Sequence, residues 1–385
     1  MNFSRIPERS ELKDYLRQLV DQKKIPHAQL FLGRPGYGTL ALAMAYVNYL
    51  LCQNRKAEDS CGQCGSCVKS YKLIHPDVHF AFPVVKKDDK KREDTTSADF
   101  YAEWRSIISE NPYFGINEWQ EHIHSTTRPN INTKECNVII QNLSLKAYEA
   151  PYKIQIIWMA DYLGKESNRL LKLIEEPTDD TLIILIAENQ EMLLNTIISR
   201  CQITKVTRYQ DEAIQQFLEQ QYRVTGDRSL AMAKLADGDL NRAIHLVKGD
   251  VKNFAQTLLY WLRISYKGDS FELTQFSQEL GNWGMDLQIQ FLEYGLVFFR
   301  EFIFCTYSGR ESVNLTLEEN DVIQKLMKII DSKKAEAIVE IINDAIIYLN
   351  RNANSKILLM ADSIQIGDIL RDRPPFFNHN TITLV

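Results

Sequence analysis

The amino-acid sequence predicts an α/β domain built on a parallel sheet, followed by two helical domains. Short apolar runs alternate with helical stretches through residues 1–207, and no hairpin turn separates those runs. From Asp211 onward, helix follows helix. Strands that alternate with helices pair in parallel and have both faces covered, so the pattern favours such a sheet in the first half of the chain.

Four apolar runs are the predicted strands, and three helical stretches are predicted between them. The strands are "IPHAQLFLG" (25–33), "YKIQIIWMA" (152–160), "TLIILIA" (181–187) and "QITKV" (202–206). The helices are "TLALAMAYVNYLLC" (39–52), "TKECNVIIQNLSLKAYE" (133–149) and "LGKESNRLLKLIEEP" (163–177), the last of which Pro177 ends.

The change of pattern near residue 207 predicts three domains. Residues 1–207 form the sheet domain with a four-cysteine module at 52–67, residues 208–250 a small helical domain, and residues 251–385 an all-helical domain that mediates oligomerisation. Within the first domain, the charged run "KKDDKKRED" indicates an exposed loop over 86–99. The aromatic-rich stretch 100–129 indicates a small packed insertion of unknown role.

Composition and charge exclude several classes of protein. The chain has 385 residues, of which 45% are hydrophobic and 25% charged, as in ordinary soluble globular proteins. Its apolar runs are too short to span a membrane, and its N-terminus lacks the apolar core of a signal peptide, so a cytoplasmic protein is expected. The formal net charge of -5 gives no general basic surface for nucleic acid.

The cysteine spacing predicts a structural zinc site. Cys52, Cys61, Cys64 and Cys67 form a C-x8-C-x2-C-x2-C pattern. Two-residue gaps let neighbouring thiolates turn back onto one tetrahedral Zn²⁺, and the glycines in those gaps suit the tight backbone. Disulfides are the alternative, but they are rare in a reducing compartment. Four ligands leave no open position for catalysis.

Residues 33–42, "GRPGYGTLAL", keep the frame of a phosphate-binding loop without its charged parts. In the loop G-x-x-G-x-G-K-[ST], backbone N–H groups cradle phosphates, the Lys meets the β- and γ-phosphates, and the hydroxyl holds Mg²⁺. Gly33, Gly36 and Gly38 are present, but Thr39 replaces the Lys and Leu40 replaces the hydroxyl residue. We therefore expect that this chain does not bind ATP tightly.

These features together resemble bacterial clamp-loader subunits of the AAA+ class. The shared segments, in the same order, are "PHAQLFLGRPGYG", the four-cysteine module, "HPD", "LSLKAYE", "LLKLIEEP" and "NTIISRCQ". The resemblance covers residues 1–250, and the remaining residues are compatible with the family's helical collar. It implies an AAA+ domain, a lid at 208–250 and a collar at 251–385.

The resemblance also implies a function. The family contains motor subunits with intact nucleotide sites and a type of subunit whose own site is degenerate, and the glycine loop places this chain in the second type. The strand "IQIIWMA" agrees, because it runs into Asp161 without a second acidic residue. The implied role is to complete a ring with gamma/tau-type and delta-type subunits that loads a sliding clamp onto primed DNA.

Two arginines carry implied roles. Arg200 in "SRC" stands where the family keeps an arginine finger, which acts in trans on a neighbour's ATP. The alternative for Arg200 is an ion pair with a carboxylate of its own domain. Arg242 in "GDLNRA" matches the second-sensor Arg of the lid, and the alternative is an ordinary arginine on a helix surface.

Two other functions stay open at this point. The chain could be an ATP-hydrolysing motor subunit with an unorthodox loop, which nucleotide binding by the isolated chain would reveal. It could also be a zinc-containing nucleic-acid-binding protein on an AAA+ scaffold, which a salt-dependent affinity for DNA would reveal.

Overall fold

The computed structural model describes residues 1–87, 90–125, 127–248, 254–309, 317–351 and 353–373. The chain divides into two compact units. Unit 1 comprises Met1–Arg223 and Ala236–His245, and unit 2 comprises Val224–Leu235 and the chain from Leu246 onward. None of the helices in the described ranges is both long and apolar enough to cross a membrane.

Unit 1 is built on a parallel sheet, which confirms the predicted fold class. Its strands are β1 (Ala28–Leu32), β2 (Val78–Ala81), β3 (Lys153–Ile157), β4 (Thr181–Ala187) and β5 (Gln202–Lys205), in the spatial order β2-β3-β4-β1-β5. All four predicted strands are present. The fifth, β2, lies within "DVHFAFPVV", to which the sequence pattern gave no assignment.

The helices alternate with these strands in unit 1. They are α1 (Ser10–Asp21), α2 (Thr39–Leu51), α3 (Gly65–Tyr71), α4 (Tyr101–Glu110), α5 (Ile116–His122), α6 (Thr133–Ser144), α7 (Leu171–Glu175), α8 (Asn195–Ile198) and α9 (Asp211–Tyr222). Short 3-10 segments lie at Phe3–Arg5, Pro35–Tyr37, Arg92–Asp94, Ser97–Phe100, Ala160–Leu170 and Gln190–Met192.

The structure corrects three local predictions. The helix predicted over 133–149 ends at Ser144, because Leu145 takes an extended conformation. The helix predicted over 163–177 is regular only in α7, because the 3-10 segment before it is broken at Gly164, which has a φ of 51°. The loop predicted to be exposed over 86–99 is buried at Thr95 and Ser97. The Ser97 hydroxyl exchanges hydrogen bonds with the Phe82 backbone, and the Ser97 N–H donates to Glu135 at 2.7 Å. Residues 88 and 89 of that loop lie outside the described residues.

The predicted packed insertion is confirmed. Trp104 and Trp119 are almost completely buried, and Phe82 at the end of the β2 segment stacks on Trp104 with ring centroids 4.1 Å apart. The indole N–H of Trp119 donates to the Pro83 carbonyl at 2.8 Å. The insertion is therefore anchored on the sheet by a continuous aromatic core.

Helices α10 (Asp227–Ala236) and α11 (Leu240–Lys248) each contribute residues to both units, and the other helices belong to unit 2. These are α12 (Phe254–Lys267), α13 (Ser270–Gly281), α14 (Met285–Ser308), α15 (Leu317–Leu326), α16 (Ser332–Asn350) and α17 (Ser355–Leu370). Their core is rich in aromatic and β-branched side chains, among them Trp261, Phe291, Phe299, Ile338 and Ile366.

One acidic side chain lies inside that helical core. Asp362 of α17 is 6% exposed, and its Oδ2 has no hydrogen-bond partner among the described residues. Burial, and then the negative charge of Asp344, raise the pKa of Asp362 to about 8. The folded protein therefore holds a proton on this group at pH values where an exposed aspartate is ionised.

Asp362→Asn should flatten the pH dependence of stability between about pH 4 and pH 8. In this window the folded chain keeps a proton that the unfolded chain releases, so the free energy of unfolding falls as pH rises, by at most about 1.4 kcal/mol per pH unit. Urea unfolding of the full chain across this range measures the effect. Glu336→Gln, at an exposed position on α16, is the control. Equal slopes for the wild type and Asp362→Asn would contradict the assignment.

Candidate functional site

The four predicted cysteines converge. Their Sγ atoms all lie within 4.8 Å of one another, and Cys61 Sγ lies 3.9 Å from Cys67 Sγ. A tetrahedral Zn²⁺ with Zn–S bonds of about 2.3 Å holds its sulfur atoms about 3.8 Å apart. The donor set and its spacing fit this metal. The structure thus bears out the clustering of the four side chains.

Backbone amides point at the sulfur atoms. Cys61 Sγ accepts hydrogen bonds from the N–H groups of Cys64 at 3.3 Å and Gln63 at 3.5 Å. These bonds lower the pKa of Cys61 to about 6, because they stabilise the thiolate. Gly62 permits the turn with a φ of 72°, whereas Gly65 begins α3. Only one of the two glycines is thus needed for a special backbone conformation.

The module is tied to α2 and to the first residues of the chain. Asp59 accepts hydrogen bonds from the N–H groups of Phe3 at 3.1 Å and Ser4 at 2.9 Å. The buried side chain of Asn48, in α2, donates to Ser60 Oγ at 2.8 Å. Hydrogen bonds to α2 and to the N-terminal residues therefore hold the segment that carries the cysteines in place.

The "HPD" segment connects this module to the loop before β3. Asp77 N–H donates to His75 Nδ1 at 3.2 Å, so the ring proton lies on Nε2 and faces Ser66 Oγ at 3.1 Å. The Asp77 carboxylate accepts the N–H groups of Glu149 and Ala150, both at 2.9 Å. His75 thus braces a turn and has no role in the cysteine cluster.

The glycine loop lies between β1 and α2, as predicted, but two of its amides are already used. Tyr37 N–H donates to the Arg34 carbonyl at 3.0 Å, and Gly38 N–H donates to the Pro35 carbonyl at 2.8 Å. These bonds form the 3-10 segment Pro35–Tyr37. N–H groups that are satisfied inside the loop are not available to a phosphate.

Side chains from distant parts of unit 1 cover the same loop. A Cβ added at Gly36 would lie 1.8 Å from Asp239 Oδ1, and a Cβ added at Gly38 would lie 2.6 Å from the Tyr209 hydroxyl and 3.1 Å from the Tyr113 ring. Arg9 stacks on the Tyr209 ring at 4.0 Å and donates to the Tyr37 carbonyl at 2.9 Å. The glycines here accommodate the protein's own side chains.

Two half-buried carboxyl groups, Asp239 and Glu118, lie near this loop. Burial, together with the charge of Glu118, raises the pKa of Asp239, although the Arg242 N–H donates to Asp239 Oδ1 at 3.0 Å and opposes the shift. Burial also acts to raise the pKa of Glu118, but hydrogen bonds from His245, from its own backbone amide and from Asn241 outweigh it and lower that pKa. The Asp239 carboxyl group therefore lies against the loop, where its negative charge would disfavour an anionic ligand.

Asp161, which follows β3, binds the backbone at the end of a neighbouring strand. Its two carboxylate oxygens accept the N–H groups of Glu188 at 3.0 Å and Asn189 at 2.9 Å, immediately after β4. Asp161 therefore fixes the end of a neighbouring strand. Its oxygens do not cap the helical segment that follows it.

Arg200 lies at the surface in an ion pair. Its Nη2 lies 2.8 Å from Glu175 Oε1 at the end of α7, and its Nη1 donates to the Thr196 carbonyl at 2.8 Å. Both side chains of the pair are about two-fifths exposed, at 39% and 43%. The guanidinium has five N–H donors, so donors remain for a further ligand.

Arg242 lies in the first turn of α11, close to Asp239, and its side chain is half-buried. Its positive charge acts to lower the pKa of Asp239. The backbone of Arg242 lies near the glycine loop through its contact with Asp239. A contact between its side chain and a nucleotide stays a prediction.

The sequence pattern did not identify the residues that cover the loop. Tyr113 lies within the predicted insertion, but nothing in the sequence places it beside the loop. The spacing of Glu118, Asp239 and Tyr209 also gives no indication that they lie there. Asp239 stands next to the segment "LNRA", and Glu118 lies in a short helix of the insertion. Proximity of these elements to the loop depends on the tertiary fold alone.

Comparisons with known proteins place the chain among DNA polymerase III subunits. A family model described as "DNA polymerase III, delta subunit" matches residues 8–210. The DNA polymerase III subunit delta' of Escherichia coli (strain K12) is 26% identical over 251 residues, which are 64% of this chain and 62% of that protein. The subunit delta' of Bacillus subtilis (strain 168) is 27% identical over 305 residues, which are 74% of this chain and 77% of that protein.

A solved structure has a weaker likeness. It is a DNA polymerase III gamma subunit-related protein from Thermotoga maritima, with a TM-score of 0.40 and 12% sequence identity. The superposition covers 93% of this chain and 99% of that chain.

Proposed function

Because the chain belongs to the family described as "DNA polymerase III, delta subunit", we propose that it is a non-hydrolysing clamp-loader subunit of the delta-prime type. In this role it completes a ring of AAA+ domains and supplies Arg200 in trans to a neighbour's ATP. The observation that carries the proposal is the contrast between a glycine loop whose amides and space are taken and an arginine that stays exposed.

The glycine loop supports the absence of ATP hydrolysis by this chain. Thr39 is 1% exposed and Leu40 is 2% exposed, so neither offers a cation or a Mg²⁺ ligand. The transferring phosphoryl group needs its charge neutralised by a Lys and a metal ion. Asp239 adds negative charge at this position instead.

The surroundings of Arg200 support a role in trans. An ion pair between exposed side chains contributes only about 0–1 kcal/mol, so Glu175 can release the guanidinium to a phosphate at little cost. A planar guanidinium presents parallel N–H donors to phosphate oxygens. The expected partners are gamma/tau-type and delta-type subunits, and the assembly acts on a sliding clamp and primed DNA.

The cysteine cluster supports a structural zinc ion. Cys52, Cys61, Cys64 and Cys67 would hold it with four sulfur ligands, and a closed site of this kind contributes to folding without taking part in catalysis. The domains proposed for the chain are an AAA+ domain over 1–207, a lid over 208–250 and a collar over 251–385.

The isolated chain should show no saturable ATP binding and no ATP hydrolysis, because the Lys and the Mg²⁺ ligand are missing. Isothermal titration with ATP and Mg²⁺, together with a phosphate-release assay, measures both. Thr39→Lys alone should not create activity, since the Mg²⁺ ligand and the paired acidic residue are still absent. Turnover that disappears when residues 33–40 are mutated would show that the chain is a motor subunit.

The purified chain should contain about one zinc ion per molecule, as four thiolates at this spacing form one closed site. Elemental analysis of protein prepared without chelators measures it. Cys64→Ser should lower the zinc content and the thermal stability, whereas Cys201→Ser, outside the cluster, should leave the zinc content unchanged. Zinc-free wild-type protein with unchanged stability would exclude a structural zinc site.

Arg200→Ala should lower ATP hydrolysis and clamp loading by the complex reconstituted with its partner subunits. Loss of an arginine finger reduces hydrolysis at the affected site by about 10³-fold or more, so the complex should keep only the turnover of its other sites. Arg200→Lys should rescue poorly, because an ammonium group cannot reproduce the planar fork.

Assembly and zinc content should be unchanged in the Arg200→Ala protein. Arg208→Ala is the matched control, since Arg208 is another exposed arginine in an ion pair, 2.5 Å from Asp237. An Arg200→Ala complex that loads clamps at the wild-type rate would leave Arg200 as a partner of Glu175 alone.

A further inference from the structure

We infer that the glycine loop has an intramolecular ligand, namely the insertion between β2 and β3 together with the segment 236–245. Asn111 and Glu118 of the insertion contact Asn241 and His245 of that segment, while Tyr113 of the insertion and Asp239 of the segment lie against the loop glycines. We call these six side chains the insertion latch. The latch occupies the space that a phosphate would need and ties the segment 236–245 to the sheet of unit 1.

Side chains fill the space above the glycines of the loop. A glycine loop leaves room above its backbone for phosphate oxygens. Here the carboxylate of Asp239 lies where the Gly36 side chain would begin, and the ring of Tyr113 lies 3.1 Å from the Cβ position of Gly38. Pro35 of the same loop also lies within 3.7 Å of the Cβ position of Gly115 in the insertion. Side chains from two distant segments therefore fill the space together.

Polar side chains join the insertion to the segment 236–245. Asn111 Nδ2 donates to Asn241 Oδ1 at 2.6 Å, and Asn241 Nδ2 donates to Glu118 Oε1. Glu118 Oε1 also lies 3.4 Å from His245 Nε2. Asn111 and Asn241 are each less than 10% exposed. Buried polar groups bonded in this way fix one arrangement, since opening it would leave them unsatisfied.

The insertion is held in place by contacts of its own. Gly115 N–H donates to Glu118 Oε2 at 2.9 Å, so the second oxygen of that carboxylate is held from its own helix. Trp119, the next residue, is fully buried and bonded to the Pro83 carbonyl. The insertion thus holds Glu118 in place by its own contacts, which reduces the entropy cost of binding the segment 236–245.

The inference deepens the proposed function and rests on it in treating the glycine loop as one that no longer serves a nucleotide. In a loop that bound ATP, the bound ligand would hold the surrounding elements. In this chain the insertion does so permanently. The position of the segment 236–245 is then independent of nucleotide.

Hydrogen exchange of the full chain, followed by mass spectrometry, tests the latch. Glu118→Ala and Asn241→Ala should each raise the exchange rates of amides in 236–245 by about tenfold or more, the factor expected when a buried hydrogen bond to a charged group is lost. Glu110→Ala, an exposed carboxylate at the end of α4, removes the same charge from the insertion and should leave those rates unchanged. Because Asn241→Ala removes no charge, it keeps the test decisive if Glu118→Ala fails to fold.

The two variants should also be non-additive, since they break a shared contact. Wild-type exchange rates over 236–245 in both single variants would overturn the latch. Addition of ATP and Mg²⁺ to Glu118→Ala separates this outcome from the proposed function. No change in protection on addition is expected, whereas restored protection would overturn the proposed lack of ATP binding and leave the latch intact.

Discussion

The complete burial of α2 is the constraint on which the rest of unit 1 depends. Every residue of Thr39–Leu51 is buried, so this helix needs apolar neighbours on all sides. It contacts β1, β4, α1 and α3, and the N-terminal 3-10 segment covers it as well. Because α2 begins directly after Gly38, the last glycine of the loop, and ends directly before Cys52, its position also sets the distance between the loop and the cysteine cluster.

If the chain binds no ATP, as we propose, this constraint explains why unit 1 has the frame of a phosphate-binding loop. The strand, turn and helix around the loop are needed to bury α2, whatever happens to nucleotide chemistry. Thr39 and Leu40 stand at the start of α2 in place of the Lys and the hydroxyl residue of a phosphate-binding loop, and both are buried in the core. Under the proposed function the frame serves packing, and the space above it holds other side chains of unit 1.

The sequence allowed prediction of features that depend on local spacing. The cysteine pattern fixes a cluster within sixteen residues, and the apolar runs fix four of the strands, because period and composition act over short distances. Strand β2 was not assigned, and the helix over 163–177 was too long because Gly164 takes a left-handed conformation within it. Buried Thr95 and Ser97 were placed in solvent because their hydrogen-bond partners lie far away in the chain.

Features that depend on distant contacts could not be predicted. The bond between Asn111 and Asn241 joins residues separated by 130 positions, and Asp239 meets a glycine of the first strand-helix turn. Neither residue type nor spacing distinguishes these side chains from others on the surface. For Arg200 the sequence offered an ion pair with a carboxylate of its own domain as the alternative role. It could not identify Glu175 as that carboxylate, since Glu175 lies at the end of α7 and 25 positions away in the chain.

The aromatic core of the insertion has an optical consequence. The ring centroid of Trp104 lies 5.5 Å from that of Trp119 and 5.2 Å from that of Trp158, so three of the five tryptophans in the chain form one group. Indole rings at this separation couple their electronic transitions, which gives a near-ultraviolet circular dichroism signal that depends on their mutual orientation. The other two tryptophans, Trp261 and Trp283, belong to the core of unit 2. The near-ultraviolet circular dichroism of this group therefore reports on how the insertion packs against the end of β3, without an attached dye.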